Sequence, residues 1–221
     1  MAKKIYLSPS SQTANTYAVG NTNEAAQCRK IALAAKSALE RCGFEVKANV
    51  TESEYSKRVK ESNAWGADAH IPIHTNASNG KVAGFRGFYY TEGNAGHKLL
   101  AAIESEVAPI TVGTSDRLSA RPELYEVKNS KAPCAYLELG FHDNVVEAQY
   151  IIDHTDDLAE AICKGVCKYY GVKYVAPAAA SAIAKKLYRV QVGAFENYNY
   201  AADMLEKVKA AGFTNAFIKA E

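Results

Sequence analysis

Short apolar runs alternate with amphipathic stretches along most of the chain. Lys4-Ile5-Tyr6-Leu7 is a short β run, followed by a polar loop from Ser8 to Asn23 that holds Gly20 and three asparagines. From Glu24 onward Ala25, Cys28, Ile31, Ala35 and Leu39 recur every three or four residues, which predicts a helix that Gly43 stops. Phe44, Val46, Ala48 and Val50 alternate as a second strand. Tyr55 to Trp65 reads as a helix and Ala67 to Ile73 as a strand, with Pro72 marking a bulge or a sheet edge. Phe85 to Tyr90 predicts another strand and His97 to Val107 another helix, while Leu124 to Val127 and Cys134 to Leu139 are further strand candidates. Asp156 is placed to cap a last helix with the stripe Leu158, Ile162, Val166 and Tyr169/Tyr170, ending at Gly171. Strands alternating with helices predict an α/β fold, a mostly parallel twisted sheet with helices on both faces.

The pattern breaks at Val175 to Ala184, an uncharged stretch of small residues and one proline that reads as a linker over 175–185. It separates residues 1–174 from a tail, 186–221, whose pattern is strand, helix, strand: a small βαβ-type α+β unit. From Lys185 to the end there are six basic and four acidic residues, so the chain's whole net charge of +2 sits there. Two strands and one helix bury too little to fold alone, so two copies pairing through their tails, a homodimer, is the expectation.

Composition narrows the partners. Hydrophobic residues make up 48% and charged residues 23%, an ordinary globular mixture, and 26 Lys and Arg against 24 Asp and Glu leave no basic footprint for nucleic acid. No apolar stretch is long enough to span a membrane, and the N-terminus shows no signal peptide, so synthesis in the cytoplasm is expected. Five cysteines, an odd number inside apolar patterns, read as reduced core thiols. Cys163 and Cys167, four apart with no second ligand pair beside them, read as two core positions on one helix face rather than a zinc clip.

In an α/β sheet the chemistry sits just beyond the carboxyl ends of the strands. Four spots qualify: Ser8 to Gln12, Glu24, His74-Thr75-Asn76 and Glu138. One histidine and two glutamates are the inventory of a hydrolytic zinc site. Each has a plainer reading as well. Glu24 stands three after Asn21 and can close a capping box, and His74 can be a hydrogen-bonded strand-end residue. Glu138, flanked by Tyr136, Leu137 and Leu139, needs a partner or a task. Cys134 with His142 suggests a thiol hydrolase, against which stands the mid-strand position of Cys134.

The order Ile-Tyr-Leu-Ser-Pro, Asn-Glu24, Ala-Asp-Ala-His-Ile-Pro-Ile-His74-Thr-Asn-Ala and Ala-Pro-Cys-Ala-Tyr-Leu-Glu138-Leu-Gly-Phe-His-Asp-Asn144 resembles the zinc-dependent N-acetylmuramoyl-L-alanine amidases of the amidase 3 type, over roughly residues 4 to 173. The resemblance implies an α/β fold, peptidoglycan as partner, and hydrolysis of the amide between the lactyl group of N-acetylmuramic acid and L-alanine. Glu24 and His74 match two zinc ligands, Glu138 the catalytic glutamate, and Asn76 is taken as substrate-binding. Where the family has Asp-Pro-Gly-His-Gly this chain has Ser8-Pro-Ser-Ser-Gln12, so Ser11 stands in the place of the first ligand. Gln12 is favoured as its replacement and His142 is the alternative; His70, about 13 Å along the strand from His74, cannot join it. The tail, opening Tyr188-Arg-Val-Gln-Val-Gly-Ala-Phe195, resembles the first half of a sporulation-related repeat domain, a glycan-binding module. Together these imply an endolysin-like cell-wall hydrolase, made in the cytoplasm and acting on the wall after release. The alternative is an inactive peptidoglycan-binding protein.

Overall fold

A computed structural model describes residues 2–177, 190–214 and 216–218, which fall into two units that divide after Pro177. The first contains β1 (Lys4–Pro9), α1 (Glu24–Arg41), β2 (Glu45–Ala48), α2 (Tyr55–Trp65), β3 (Ala69–Asn76), β4 (Arg86–Tyr89), α3 (Ala95–Val107), β5 (Arg117–Ala120), α4 (Tyr125–Asn129), β6 (Tyr136–Phe141), α5 (Val145–Asp153) and α6 (Thr155–Tyr170). The strands form one sheet in the order β2-β1-β3-β6-β4-β5, parallel throughout except where β4 meets β6. The α/β expectation holds, with helices on both faces.

Because side chains alternate along a strand, the two faces have different chemistry. Ile5, Leu7, Ile71, Ile73, Leu137 and Leu139 belong to the main core with the apolar stripes of α1, α3 and α6. The alternate positions, Tyr6, His70, His74, Tyr136 and Glu138, form the opposite face. There α2 and α4 cover the part around Tyr6 and His70: Tyr6 Oη donates to Glu61, and His70 binds Ser62 and Glu126. On the core side α3 and α6 cross so closely that a Cβ on Gly165 would lie 2.4 Å from Ile103 Cα.

Several expectations need correcting. Pro72 lies on the central strand β3, neither at an edge nor at the register shift, which falls between His74 and Asn76. His70 directs its N–H to Pro133 O and receives Ala135 N–H, and by alternation Pro72 faces the same neighbour. Its missing donor therefore falls in the gap between the isolated His70–Cys134 bridge and the Ile73–Leu137 pairing, where it costs little. Leu124 to Val127 is not a strand: Leu124 N–H bonds Arg121 O in a turn that leads into α4. Four residues are too few for periodicity to distinguish strand from helix. Helix α6 begins at Thr155, so Asp156 sits in its first turn instead of capping it. The edge strand β5 and the short helix α5 carry no strong periodic signal and were not anticipated.

Val175 is still fastened to the first unit, its carbonyl accepting from Arg41 Nε at 2.8 Å. The rest of the expected linker, from 178 on, lies outside the described residues. In the second unit α7 (Tyr198–Ala210) is formed, with Asn197 capping it through Asn199 N–H. The strands expected around it are not formed among the described residues 190–195 and 216–218. A strand without a neighbour has no ladder to join.

Candidate active site

The loop after β1 is laid across the start of α1. Ser10 N–H bonds Ile73 O at 2.8 Å, holding the loop to β3. The carbonyls of Asn15 and Gln12 then accept from Glu24 and Ala25 N–H, at 2.9 and 3.3 Å, satisfying donors that a helix start leaves free. Asn23 is the cap, accepting from Ala26 N–H at 2.9 Å. Glu24 therefore does not close a capping box with Asn21. Its carboxylate points into the sheet's polar face instead, where only 1% of the residue is exposed.

That placement joins three of the expected residues. Glu24 Oε1 accepts from His74 Nδ1 at 2.8 Å and from Thr75 N–H at 3.4 Å. Glu24 Oε2 accepts from Asn15 Nδ2 at 2.6 Å, and the same amide donates to Gln12 Oε1 at 3.1 Å. Gln12 Nε2 lies 3.4 Å from His74 Nδ1. Tyr136 stacks on the His74 ring with centroids 4.7 Å apart. Glu138 is register partner to His74 on the adjacent strand. Two atoms here, His74 Nε2 and Glu138 Oε2, are buried without a hydrogen-bond partner among the described residues.

The charges are tuned by this packing. Burial pushes the Glu138 carboxyl up to about 8, with His74 opposing and Glu24 adding to the rise. Burial also works against the charged forms of Glu24 and His74, but their mutual hydrogen bond and attraction prevail. Glu24 is held below the ordinary carboxylate value, helped by Asn15, and His74 is raised above the ordinary imidazole value, helped by Glu138. With no cation in the site, Glu24 stays ionised while Glu138 keeps a proton near neutrality; a cation held beside them would favour the ionised form of Glu138 as well, the form that takes up a proton.

The remaining candidates lie apart. Asn76 Oδ1 accepts from Ala77 N–H at 2.8 Å, so its side-chain oxygen serves its own loop. Ser11 Oγ donates to Ser53 O at 2.6 Å, away from His74. His142 Nδ1 lies 3.0 Å from both Thr75 Oγ1 and Thr75 O, and the ring stacks on Tyr17. His70 is sealed between Ser62 and Glu126 at 3.0 and 2.8 Å. Burial pushes the Cys134 thiol well up, which removes the thiolate that a thiol hydrolase needs. Asn15, whose amide ties Glu24 to Gln12, was missed. In sequence it is one of three asparagines in a polar loop.

The donor set fits a divalent cation. His74 supplies an imidazole nitrogen and Glu24 a carboxylate oxygen at one point. A half-turn of the Gln12 amide, which exchanges its oxygen and nitrogen and gives up the bond from Asn15 Nδ2, presents an oxygen there as well.

Comparison with known proteins gives the family. Residues 5–168 match the family described as N-acetylmuramoyl-L-alanine amidase. The sporulation-specific N-acetylmuramoyl-L-alanine amidase of Bacillus subtilis is 27% identical over 219 residues, covering 95% of this chain and 82% of that protein. Among solved structures, the catalytic domain of the amidase CwlV from Bacillus (Paenibacillus) polymyxa superposes with a TM-score of 0.67 at 20% identity, covering 78% of this chain and all of that one. The catalytic domain of the CD27L endolysin gives 0.63 at 21% identity, covering 76% and 97%. With the polar cluster of Gln12, Glu24, His74 and Glu138 at the sheet's carboxyl end and three-quarters of its length matched, the chain belongs to the N-acetylmuramoyl-L-alanine amidase family of the amidase 3 type.

Proposed function

We propose that the chain hydrolyses the amide joining the lactyl group of N-acetylmuramic acid to L-alanine in peptidoglycan, with a zinc ion held by Glu24, His74 and Gln12. The observation that carries this reading is the buried Glu24–His74 pair beside the unpartnered acid of Glu138, in a chain with this family match. When bound, zinc supplies a Lewis acid that polarises the carbonyl and acidifies water. Glu138 Oε2 takes the proton released as water oxygen joins the carbonyl carbon, and returns it to the alanine nitrogen as the C–N bond breaks. Asn15 and the Thr75 N–H hold Glu24 in place, and the Tyr136 ring fixes the plane of His74.

The second unit is read as a glycan-holding half-module that pairs with a second copy. Its exposed Phe195, Tyr198, Tyr200, Phe213 and Phe217 rings support this reading, as does the reach of the Bacillus subtilis match over 95% of the chain. Incubation of the zinc-supplied chain with purified peptidoglycan tests the activity. New L-alanine amino termini without new reducing ends are expected, and new reducing sugars or no cleavage would overturn the reading. Light scattering tests the pairing: the full chain should be a dimer and residues 1–177 a monomer.

A further inference from the structure

At the other end of α1 from Glu24, three thiols far apart in sequence come together. Cys42 follows the last turn of α1, while Cys163 and Cys167 stand one turn apart on α6. Their sulfurs all lie within 4.8 Å of one another, and the residues are 7%, 0% and 2% exposed. Cys42 is thus the further ligand that the spacing of Cys163 and Cys167 could not show.

The dimensions suit a metal better than a disulfide. Tetrahedral zinc with sulfur at about 2.3 Å sets neighbouring sulfurs about 3.8 Å apart. Cys42 Sγ and Cys163 Sγ are 3.6 Å apart, whereas a disulfide would have to draw them to about 2.0 Å. Two further groups serve such a site. Val175 N–H donates to Cys42 Sγ at 3.3 Å, the kind of bond that steadies a metal-bound thiolate, and Val175 O, 3.8 Å from the same sulfur, is a fourth donor at hand. Arg41, held by both oxygens of Glu160 and bonded to Val175 O, places a cation beside the cluster.

We propose that Cys42, Cys163 and Cys167 form a buried three-thiolate site for zinc, separate from the hydrolytic centre, that staples the end of α1 to α6 and to the segment around Val175. On binding, each thiol gives its proton to solvent and its sulfur lone pair to the ion; nothing is oxidised. With Val175 O as the fourth donor and the three cysteines buried, no position stays open for substrate, and a closed site of this kind is structural.

The test uses the full chain, reduced and stripped with chelator, and cadmium as a spectroscopic stand-in for zinc. A sulfur-to-cadmium charge-transfer band should rise and saturate at one ion per chain, persist in His74→Ala, and be lost in Cys42→Ser and Cys163→Ala. Because Cys163→Ala replaces a core residue, mapped alkylation of the wild-type chain gives a second readout. Zinc should slow modification of Cys42, Cys163 and Cys167 relative to Cys28 and Cys134. No band on the folded chain, a band unchanged in Cys42→Ser, uniform alkylation, or a Cys42–Cys163 disulfide formed in zinc's presence would each overturn the proposal.

Discussion

Glu138→Gln should make the metal-stripped protein more stable while removing its activity. The wild-type carboxyl goes from an ordinary value of 4.5 in the unfolded chain to about 8 when folded, driven by burial. An acid whose folded pKa is raised costs nothing below the unfolded value. The penalty begins near pH 4.5, grows as pH rises, and levels off above about 8. At about 1.4 kcal/mol per unit, the span from 4.5 to pH 7 amounts to about 3 kcal/mol. Gln occupies the same space without ever ionising, so it should recover most of this at pH 7 and less than about 1 kcal/mol at pH 5. Urea unfolding of both proteins at the two pH values, with chelator present, measures the difference. Turnover of the zinc-supplied variant should fall on the order of a hundredfold or more, since an amide cannot carry the proton. A variant less stable than wild type at pH 7, or a gain of equal size at pH 5, would refute the burial argument.

Three further outcomes are expected. Asn15→Ala frees Glu24 Oε2 and the Gln12 amide, removing a bond to a charged group worth about 1.5–3 kcal/mol; kcat should drop roughly tenfold to a hundredfold with KM little changed, as steady-state kinetics will show. Gly165→Ala gains about 1 kcal/mol of helix propensity but sets a Cβ 2.4 Å from Ile103 Cα, backbone that cannot swing aside, so overpacking of about 1–3 kcal/mol should lower the urea midpoint. Arg58→Met leaves the buried Glu126 without its guanidinium at 3.6 Å, a loss of about 3–5 kcal/mol. Burial raises the Glu126 pKa but His70 and Arg58 together hold it below 4.5, so its contribution is lost as pH falls beneath that value; in Arg58→Met, acid unfolding should move to higher pH.

Periodicity carries furthest where one face of an element is buried against a large core. The bounds of α2 were legible as Tyr55 to Trp65, and those of α1 nearly so, because each turn repeats the same burial demand. Glu138 was legible for the opposite reason, a carboxylate among apolar neighbours with no local partner. Pro72 misled because the cost of its missing donor depends on what the adjacent strand offers at that level, and that is tertiary information. Asn15 was hidden because a loop asparagine looks alike whether it serves a turn or a carboxylate nine residues on. Cys42 and Cys163, 121 positions apart, meet only because α1 packs on α6, and no spacing rule reports that.

Helix α1 is also a measuring rod. Its first residue, Glu24, meets His74 in the candidate site, and its last, Arg41, grips Val175 just before the end of the first unit. Seventeen residues of rise at 1.5 Å set these points about 26 Å apart along the axis. The helix therefore keeps the hold on Val175 well away from the candidate site, so that a change at one end of the rod need not disturb the other.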